Sequence, residues 1–358
     1  MTAGNTLERR IGIRHPLVQG PFGGGLSTVE LAATVSRLGG LGSYGAHILE
    51  PDGIEGLAAD LRAATDKPFA LNLWVSDHDP GGETLDREAF EAVWRVFEPF
   101  FSEYGIDRPE PPLRYHPRFE DQVEALIEAR PRVFSFVFGI PERKILKACR
   151  SRDILTLGAA TTLAEAEALE AAGVDLILAT GFEAGGHRPA FLARPEDGLM
   201  GTLALTRLVA ARLKTPVIAA GGIADRAGIA AARALGAQAV QLGTAFLACA
   251  ESGTNDAHRE VLFSPRAHHT VLTRAYTGRL ARGIPNRVIE EMEKRTADLP
   301  PFPVQAWFLG HLKRAALAAG DEDFASLYAG QAASLLKHRR AADLMAELVE
   351  PAPVLAGA

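Results

Sequence analysis

The feature that most constrains the fold is a repeat in which a short apolar run, a helix-start residue, an alanine-rich stretch and a glycine follow one another. Hydroxyl and carboxylate side chains are typical of the start of a helix, and glycine is typical of the position after its end. Three repeats carry such pairs: Ser27 and Gly39, Thr162 and Gly173, and Asp225 and Gly236. The rhythm predicts alternating strands and helices. The apolar runs lack strict alternation, which indicates parallel strands buried on both faces.

Eight apolar runs lie along the chain, at residues 16–20, 41–46, 69–75, 133–139, 154–159, 176–181, 216–222 and 239–246. Eight parallel strands with helices between them close into a (β/α)8 barrel. We therefore predict the α/β fold class, with a TIM barrel over residues 1–285. A helical insertion at about 76–120 is predicted to cover one barrel end. Residues 286–358 are predicted to form a helical extension packed near the barrel mouth.

Composition and charge exclude several classes of protein. The 358 residues are 47% hydrophobic with a formal net charge of -6, so we expect no binding to nucleic acid or to an anionic membrane. No apolar run approaches the roughly 18 residues of a membrane span. The two cysteines, Cys149 and Cys249, are expected to be reduced in a cytoplasmic protein, because a chain of this size does not need a disulfide. Zinc-binding patterns such as H-E-x-x-H do not occur, so no metal is expected.

Glycines follow the seventh and eighth apolar runs, where the active site of a barrel is expected. Gly221 and Gly222 follow the seventh run, and Gly243 with Thr244 lies at the end of the eighth. Without Cβ atoms, the backbone N–H groups can approach a phosphate closely, and the Thr244 hydroxyl can donate a hydrogen bond. Tight turns of a crowded barrel are the alternative explanation. Paired glycine sites after these two strands favour a ligand that carries a phosphate.

The segment after the sixth run ends in a histidine. Gly185 and Gly186 would let a ligand lie against the backbone, and His187 presents an imidazole that can act as a base near neutral pH. A loop histidine is more often solvated than catalytic. The flanking glycines and the strand-end position favour the catalytic interpretation here.

Several motifs, in order and with their spacing, resemble those of the nitronate monooxygenases, once called 2-nitropropane dioxygenases. They are Gln19-Gly20-Pro21-Phe22-Gly23-Gly24, Asn72-Leu73, Glu183-Ala184-Gly185-Gly186-His187, residues 219–223, residues 241–246, Thr277-Gly278-Arg279 and Tyr328-Ala329-Gly330-Gln331. The resemblance implies a TIM-barrel flavoprotein with noncovalently bound FMN. Such an enzyme uses O2 to convert small alkyl nitronates into carbonyl compounds and nitrite.

The resemblance also implies roles for single residues. His187 falls on the catalytic base, which would remove the α-proton of a neutral nitroalkane, whereas a nitronate needs no such step. The residues implied in FMN binding are Gln19, Gly20, Pro21, Phe22, Asn72, Ala184, Gly185, Gly186, Gly221, Gly222, Gln241, Gly243 and Thr244. Of these, Gly222, Gly243 and Thr244 match the family's phosphate site. This agrees with the phosphate-binding interpretation of the glycines after the seventh and eighth runs.

The chain departs from the resembled pattern at four positions. Val137 stands where many relatives carry a histidine, and Ala159 where relatives often place a longer polar side chain. Phe22 and Gly23 replace the commoner methionine and alanine. These departures leave the identity of the substrate open, because pocket contacts decide discrimination. An NAD(P)H-dependent flavin reductase, acting on a quinone or an enoyl thioester, is the alternative on the same barrel.

Other signals point away from further sites. Residues 40–45 satisfy the G-x-G-x-x-G pattern, but a predicted helix precedes them, which is the wrong context for a dinucleotide fold. Asp77, His78 and Asp79 are expected in a solvated loop. A spaced set of arginines follows the barrel, and either surface salt bridges or contact with a phosphate or anionic substrate would explain it. The set consists of Arg274, Arg279, Arg282 and Arg287.

Overall fold

The structure is a computed structural model and describes residues 6–75, 79 and 84–350; of the predicted insertion, residues 76–78 and 80–83 lie outside the described residues. Its strands, in chain order, are β1 (Leu17–Gln19), β2 (Gly42–Gly45), β3 (Phe69–Trp74), β4 (Val133–Val137), β5 (Leu155–Ala160), β6 (Leu176–Thr180), β7 (Gly186–His187), β8 (Val217–Ala220), β9 (Ala239–Leu242), β10 (Val271–Thr273) and β11 (Ala281–Gly283). Eight of them form one parallel sheet in the order β1-β9-β8-β6-β5-β4-β3-β2. The other three form an antiparallel sheet in the order β10-β11-β7.

The eight-stranded sheet closes on itself between β1 and β2. The Gln19 N–H donates to the Leu41 carbonyl and the Leu41 N–H donates to the Leu17 carbonyl, each at 2.9 Å. The predicted TIM barrel is thereby confirmed, and each of the eight predicted runs contains a strand. The predicted eighth strand was too long, however. Strand β9 ends at Leu242 and a short helix begins at Thr244, so the apolar residues 244–246 belong to a helix.

Helices surround the barrel and cover its two ends. They are α1 (Thr6–Ile11), α2 (Val29–Arg37), α3 (Pro51–Ala64), α4 (Arg87–Glu103), α5 (Phe119–Ala129), α6 (Arg143–Ser151), α7 (Leu163–Ala172), α8 (Thr202–Arg212), α9 (Arg226–Ala234), α10 (Thr244–Leu247), α11 (Asp256–Leu262), α12 (Arg287–Glu293), α13 (Val304–Ala318) and α14 (Ala341–Val349). Short 3-10 turns occur at Pro195–Gly198, Pro265–His268 and Ala333–Leu335. Within the described ranges, no helix is both long and apolar enough to cross a membrane.

Local signals explain where two of the marked helices begin. The Thr162 hydroxyl accepts from the Glu165 N–H at the start of α7, and Gly173 ends that helix with φ 82°. Asp225 caps α9 in the same way by accepting from a backbone N–H. The prediction for Ser27 was wrong, because its neighbour Thr28 caps α2.

The C-terminal helix α14 completes the ring of helices around the barrel. It packs against α2, α9 and α10. Leu344 and Met345 of α14 share an apolar cluster with Leu31 of α2 and Ile229 of α9. This segment therefore occupies the place of an eighth barrel helix, although it is separated from β9 by about a hundred residues of other structure.

Two further clusters fix what surrounds the site. Leu7 and Ile11 of α1 pack with the inward-facing side chains of the strands, so α1 closes the N-terminal end of the barrel. At the other end, the insertion helix α4 packs against α13 through an aromatic cluster in which the Phe97 and Phe308 rings stack 4.8 Å apart. The insertion and the C-terminal extension therefore form one helical layer.

Candidate active site

His187 lies just beyond the end of β6, on a short strand. Strand β7, which contains it, pairs with β11, and His187 stands opposite Ala281. The Arg188 N–H donates to the Leu280 carbonyl at 2.8 Å and extends this pairing by one residue. The backbone of the predicted base is therefore held by a β-ladder, which limits the positions its side chain can adopt.

Aromatic side chains from distant segments surround the His187 ring. The Trp74 ring lies 4.9 Å away in an edge arrangement, the Tyr328 ring 5.6 Å away, and the Phe138 ring 6.3 Å away. Trp74 ends β3 and Phe138 follows β4, so both come from strand ends, whereas Tyr328 comes from the C-terminal extension. Together they form the walls of an apolar pocket around one imidazole.

The electrostatic surroundings keep the imidazole of His187 neutral. Burial, together with the positive charges of Arg279 and Lys313, lowers the pKa of His187 to about 3. The Nε2 atom lies 2.8 Å from the Thr277 hydroxyl oxygen, which also accepts from the Arg279 N–H at 3.3 Å. A neutral imidazole with one nitrogen engaged by a hydroxyl group retains one lone pair for proton transfer.

Arg279 is the member of the arginine set that reaches this pocket. Its guanidinium lies 3.6 Å from the Phe138 ring centroid and 4.7 Å from that of Phe302, and it forms an ion pair with Asp79. The Asp79 side chain is only 11% exposed, so the expectation of a solvated loop was wrong for this residue. Asp77 and His78 lie outside the described residues.

The other three arginines of the set have structural partners. Arg274 pairs with Glu196, and Arg287 pairs with Glu103 and Asp321. Arg282 donates to the Phe182 carbonyl at 2.9 Å and to the Thr270 hydroxyl at 3.1 Å. For these three, the salt-bridge and hydrogen-bond interpretation accounts for the spacing in the sequence.

Beside His187, glycines border an open space. A Cβ built on Gly186 would meet nothing within 4 Å, and one on Gly243 would meet only the Phe22 ring, at 4.0 Å. Gly221 and Gly222 have φ values of 107° and 66°, which L residues rarely adopt. At this glycine edge of the pocket, Gly186 and Gly243 therefore leave room for a ligand against the backbone, whereas a Cβ on Gly221 would lie 2.8 Å from the Thr202 hydroxyl oxygen and one on Gly222 would lie 3.3 Å from the Glu183 Cβ atom.

A segment of the C-terminal extension, residues 324–331, crosses this glycine edge; we call it the strap. The Gly330 N–H donates to the Thr244 hydroxyl oxygen at 2.9 Å, and the Gln331 N–H donates to the Glu183 carbonyl at 2.9 Å. Because the Thr244 oxygen accepts this bond, its hydroxyl proton remains free to donate to a ligand. Thr244 is also the first residue of α10, so its backbone N–H has no acceptor within the helix.

Other predicted residues lie on the barrel side of the pocket. Gln19 is fully buried, and its side-chain Oε1 atom accepts from the Ser43 N–H at 2.9 Å. Asn72 donates to the Ser135 hydroxyl at 3.0 Å. The side-chain amides of both residues therefore have partners within the barrel. The two side chains form part of the floor of the pocket at the C-terminal end of the strands.

The remaining predicted residues are grouped by position. Gly20 lies against Gly243, because a Cβ on Gly20 would come within 3.3 Å of the Gly243 Cα and 3.7 Å of the Gln241 side chain. Pro21, Phe22 and Ala184 are partly exposed at the same end of the barrel. Of the departures noted in the sequence, Val137 and Ala159 pack in the apolar cluster inside the barrel.

Several residues in and behind the walls of the site were not predicted from the sequence. They are Trp74, Phe138, Phe302, Lys313 and His47. The signal for Trp74 was available, since it stands at a strand end two residues beyond Asn72. For Phe302 and Lys313 there was no signal, because both come from the extension and reach the pocket only through the tertiary fold.

The residues present fit a phosphate-bearing flavin. Gly186 and Gly243 leave space for a flat ring, and the Thr244 hydroxyl and backbone N–H can both donate to a phosphate. In the described part of the chain, no group of three or more histidine, cysteine or acidic side chains is placed to hold a metal ion.

Comparison with known proteins gives a consistent result. The family model of nitronate monooxygenases matches residues 5–351. A nitronate monooxygenase of Pseudomonas aeruginosa is 44% identical over 349 residues, which cover 96% of this chain and 97% of that protein. One from Paraburkholderia phytofirmans is 40% identical, covering 94% of this chain and 92% of that protein.

Among solved structures, nitroalkane oxidase from Streptomyces ansochromogenes is similar with a TM-score of 0.85 and 36% identity, covering 94% of this chain and 95% of that chain. FabK from Thermotoga maritima is similar with a TM-score of 0.74 and 28% identity, covering 97% and 95%. The family match spans the whole barrel, the strap and α14. This chain is an oxidoreductase that belongs to the nitronate monooxygenase family.

Proposed function

We propose that this protein is an FMN-dependent enzyme that uses O2 to oxidise small alkyl nitronates to carbonyl compounds and nitrite. The observation that carries the proposal is the position of His187: a neutral imidazole in an aromatic pocket, beside a glycine edge that can hold a flavin. The family to which the chain belongs and the likeness to a nitroalkane oxidase support nitro compounds as the substrate class.

FMN would be held by the residues at the ends of the barrel strands. In the proposal, Gly222, Gly243 and Thr244 bind its phosphate, while Gly185 and Gly186 cover the ring system beside His187. On the barrel side, the residues that face the ring system are Gln19, Gly20, Pro21, Phe22, Asn72, Ala184, Gly221 and Gln241. When bound, FMN supplies the electron acceptor for the substrate and the site at which O2 is reduced.

His187 would act on the substrate proton. If its Nε2–H donates to the Thr277 hydroxyl oxygen, the lone pair lies on Nδ1, and this atom takes the α-proton of a neutral nitroalkane. With a pKa of about 3, the His187 imidazole alone is a weak base. The nitronate anion that forms beside the imidazole would raise the pKa of His187, because an adjacent negative charge favours the imidazolium. The ion pair therefore forms as the proton moves.

The deciding experiment compares reductants of the bound flavin without oxygen. Purified protein loaded with FMN is mixed anaerobically with propyl nitronate or with NADH, and the flavin absorbance is followed. We expect nitronate to bleach the flavin much faster than NADH does. Rapid bleaching by NADH with quinone turnover, and none by nitronate, would establish the reductase alternative. Protein that binds no FMN at all would overturn the proposal.

A further inference from the structure

His47 is a buried histidine at the pocket with no role in the proposed reaction. It follows β2, its side chain is 4% exposed, and its ring lies flat on the Trp74 ring at 3.9 Å with an interplanar angle of 4°. Trp74 in turn contacts the His187 ring by its edge at 4.9 Å. The His47 imidazole therefore forms the backing of a pocket wall.

Gly23 closes the Cε1 edge of the His47 ring, and the nearly parallel His116 ring lies 5.8 Å away. A Cβ built on Gly23 would overlap the Cε1 atom of His47 and lie 3.0 Å from its Nε2 atom. These atoms belong to a buried ring that is stacked on Trp74 at 3.9 Å, so it has little room to yield. Glycine at position 23 is thus a condition for an imidazole in this position at residue 47, and an alanine at position 23 would exclude the arrangement.

Hydrogen bonding does not explain why a histidine stands here. Its Nδ1 atom is buried and has no hydrogen-bond partner in the residues that the structure describes. Burial holds the pKa of His47 well below its usual value, and the charges of His116, His187 and Arg279 lower it further, so the ring is neutral. A neutral ring with an unused polar atom contributes by its shape.

The space that this ring controls is narrow. On its pocket side, Trp74 meets Phe138 at 4.8 Å and Phe302 at 5.2 Å, and the Arg279 guanidinium lies over Trp74 at 5.5 Å. Among the described residues, these neighbours leave Trp74 to move toward His47 if a larger substrate is to fit. The depth of the pocket beside His187 therefore depends on whether the space behind Trp74 is filled.

We propose that His47 and Gly23 form a specificity-determining pair: the imidazole, admitted by the glycine, fixes Trp74 and restricts the pocket to short, unbranched nitronates. This inference rests on the proposed function for the identity of the substrate. The positions of the three residues do not depend on it. His47 is a positioning residue here, since it acts through Trp74.

The test compares two substrates in matched variants. His47→Ala, which empties the space behind Trp74, is expected to raise the ratio of kcat/KM for cyclohexyl nitronate to that for ethyl nitronate by about tenfold or more. His47→Phe keeps a flat ring against Trp74 and should leave the ratio within about twofold of the wild type. Gly23→Ala should shift the ratio in the wild type and have no further effect in the His47→Ala background.

A second readout does not depend on turnover. Protein labelled with 5-fluorotryptophan gives a ¹⁹F signal for Trp74, which is identified by its loss in Trp74→Phe. We expect Gly23→Ala and His47→Ala to move this signal, and Gly23→Ala to move it no further once His47 is alanine. Matching effects on the spectra and the ratios would establish the pair.

Three results would overturn the inference: an unchanged ratio in His47→Ala, a His47→Phe variant that behaves like His47→Ala, or additive effects of the two substitutions. The second of these would show that the imidazole nitrogen is the determinant. If the wild type oxidised neither nitronate, the proposed function and the specificity role would fail together. The ¹⁹F shifts would then still decide whether His47 and Gly23 position Trp74.

Discussion

At the scale of single residues, the proposed role of His187 as a base predicts different effects of one substitution on two forms of the substrate. A neutral nitroalkane must lose its α-proton, whereas a preformed nitronate has already lost it. We therefore expect His187→Asn, which keeps a polar side chain of similar size, to lower nitroalkane oxidation by about 10² to 10⁴, with a smaller loss for nitronates. Initial rates on nitroethane and ethyl nitronate, at equal flavin content, measure the difference.

The control for this prediction is a substitution in the same wall that removes no base. Tyr328→Phe keeps the ring that lies 5.6 Å from His187, so it should affect both substrates to a similar extent. Wild-type activity of His187→Asn on nitroethane would show that the imidazole is a bystander.

Residues with a local signal were predictable, and residues that depend on distant contacts were not. His187 was predicted as a site residue from its glycines and its place after an apolar run, and its role as a base remains a prediction. Ser27 was assigned as a helix cap, but its hydroxyl accepts instead from the Phe22 and Gly45 N–H groups, at 2.9 and 3.2 Å. The pairing of Asp79 with Arg279 joins residues 200 positions apart, and no local pattern reports such a contact.

At the scale of elements, the strap is the part of the site most sensitive to a small change. A Cβ on Gly185 would lie 2.5 Å from the Gly330 nitrogen and 2.6 Å from the Ala329 carbonyl carbon. We expect Gly185→Ala to push the strap away, break the bond from Gly330 to Thr244 and reduce FMN affinity by roughly fivefold, since a lost hydrogen bond is worth about 1 kcal/mol. Equilibrium dialysis of FMN measures the change.

A matched control is Gly310→Ala in α13. There a Cβ would meet only the Arg314 side chain, at 3.7 Å, so FMN affinity should not change. If Gly185→Ala bound FMN as tightly as this control does, the strap would have no part in holding the cofactor.

The elements themselves were largely visible in the sequence. All eight strands were predicted, because buried parallel strands are continuous apolar runs. The eighth was predicted too long because residues 244–246 are as apolar as the strand before them, and a short apolar run does not separate strand from helix. The position of α14 as the closing barrel helix was not predicted, since helix periodicity gives a buried face without naming its partner.

At the scale of the whole molecule, a buried histidine links folding stability to pH. His258 is 3% exposed and its Nε2–H donates to the Tyr328 carbonyl of the strap at 2.9 Å. Burial lowers the pKa of His258, the bond to Tyr328 opposes this effect and the charge of Arg259 adds to it, so that the pKa falls from 6.5 to about 4. Between these two pKa values the unfolded chain binds a proton that the folded chain does not.

The sign follows from this difference in bound protons. The stabilisation is complete above pH 6.5 and is lost as the pH falls toward 4, with His258 contributing about 3 kcal/mol of unfolding free energy. Urea unfolding at a series of pH values between 7 and 4 measures it. His258→Gln keeps a donor for Tyr328 without a titrating group, so its stability should fall less steeply. Identical slopes for the two proteins would exclude His258 as the cause.

The strap also bears on how the protein is made. All eight barrel strands precede the strap in the sequence, whereas α14 follows it, so a ribosome releases the strands before it releases the residues that cover the glycine edge. The strands of a growing chain can therefore pair while the glycine edge is still uncovered. If FMN binds as proposed, it can enter the site before the strap covers the glycine edge. Newly made protein would pass through a folded but colourless form whose lifetime depends on the supply of free flavin in the cell.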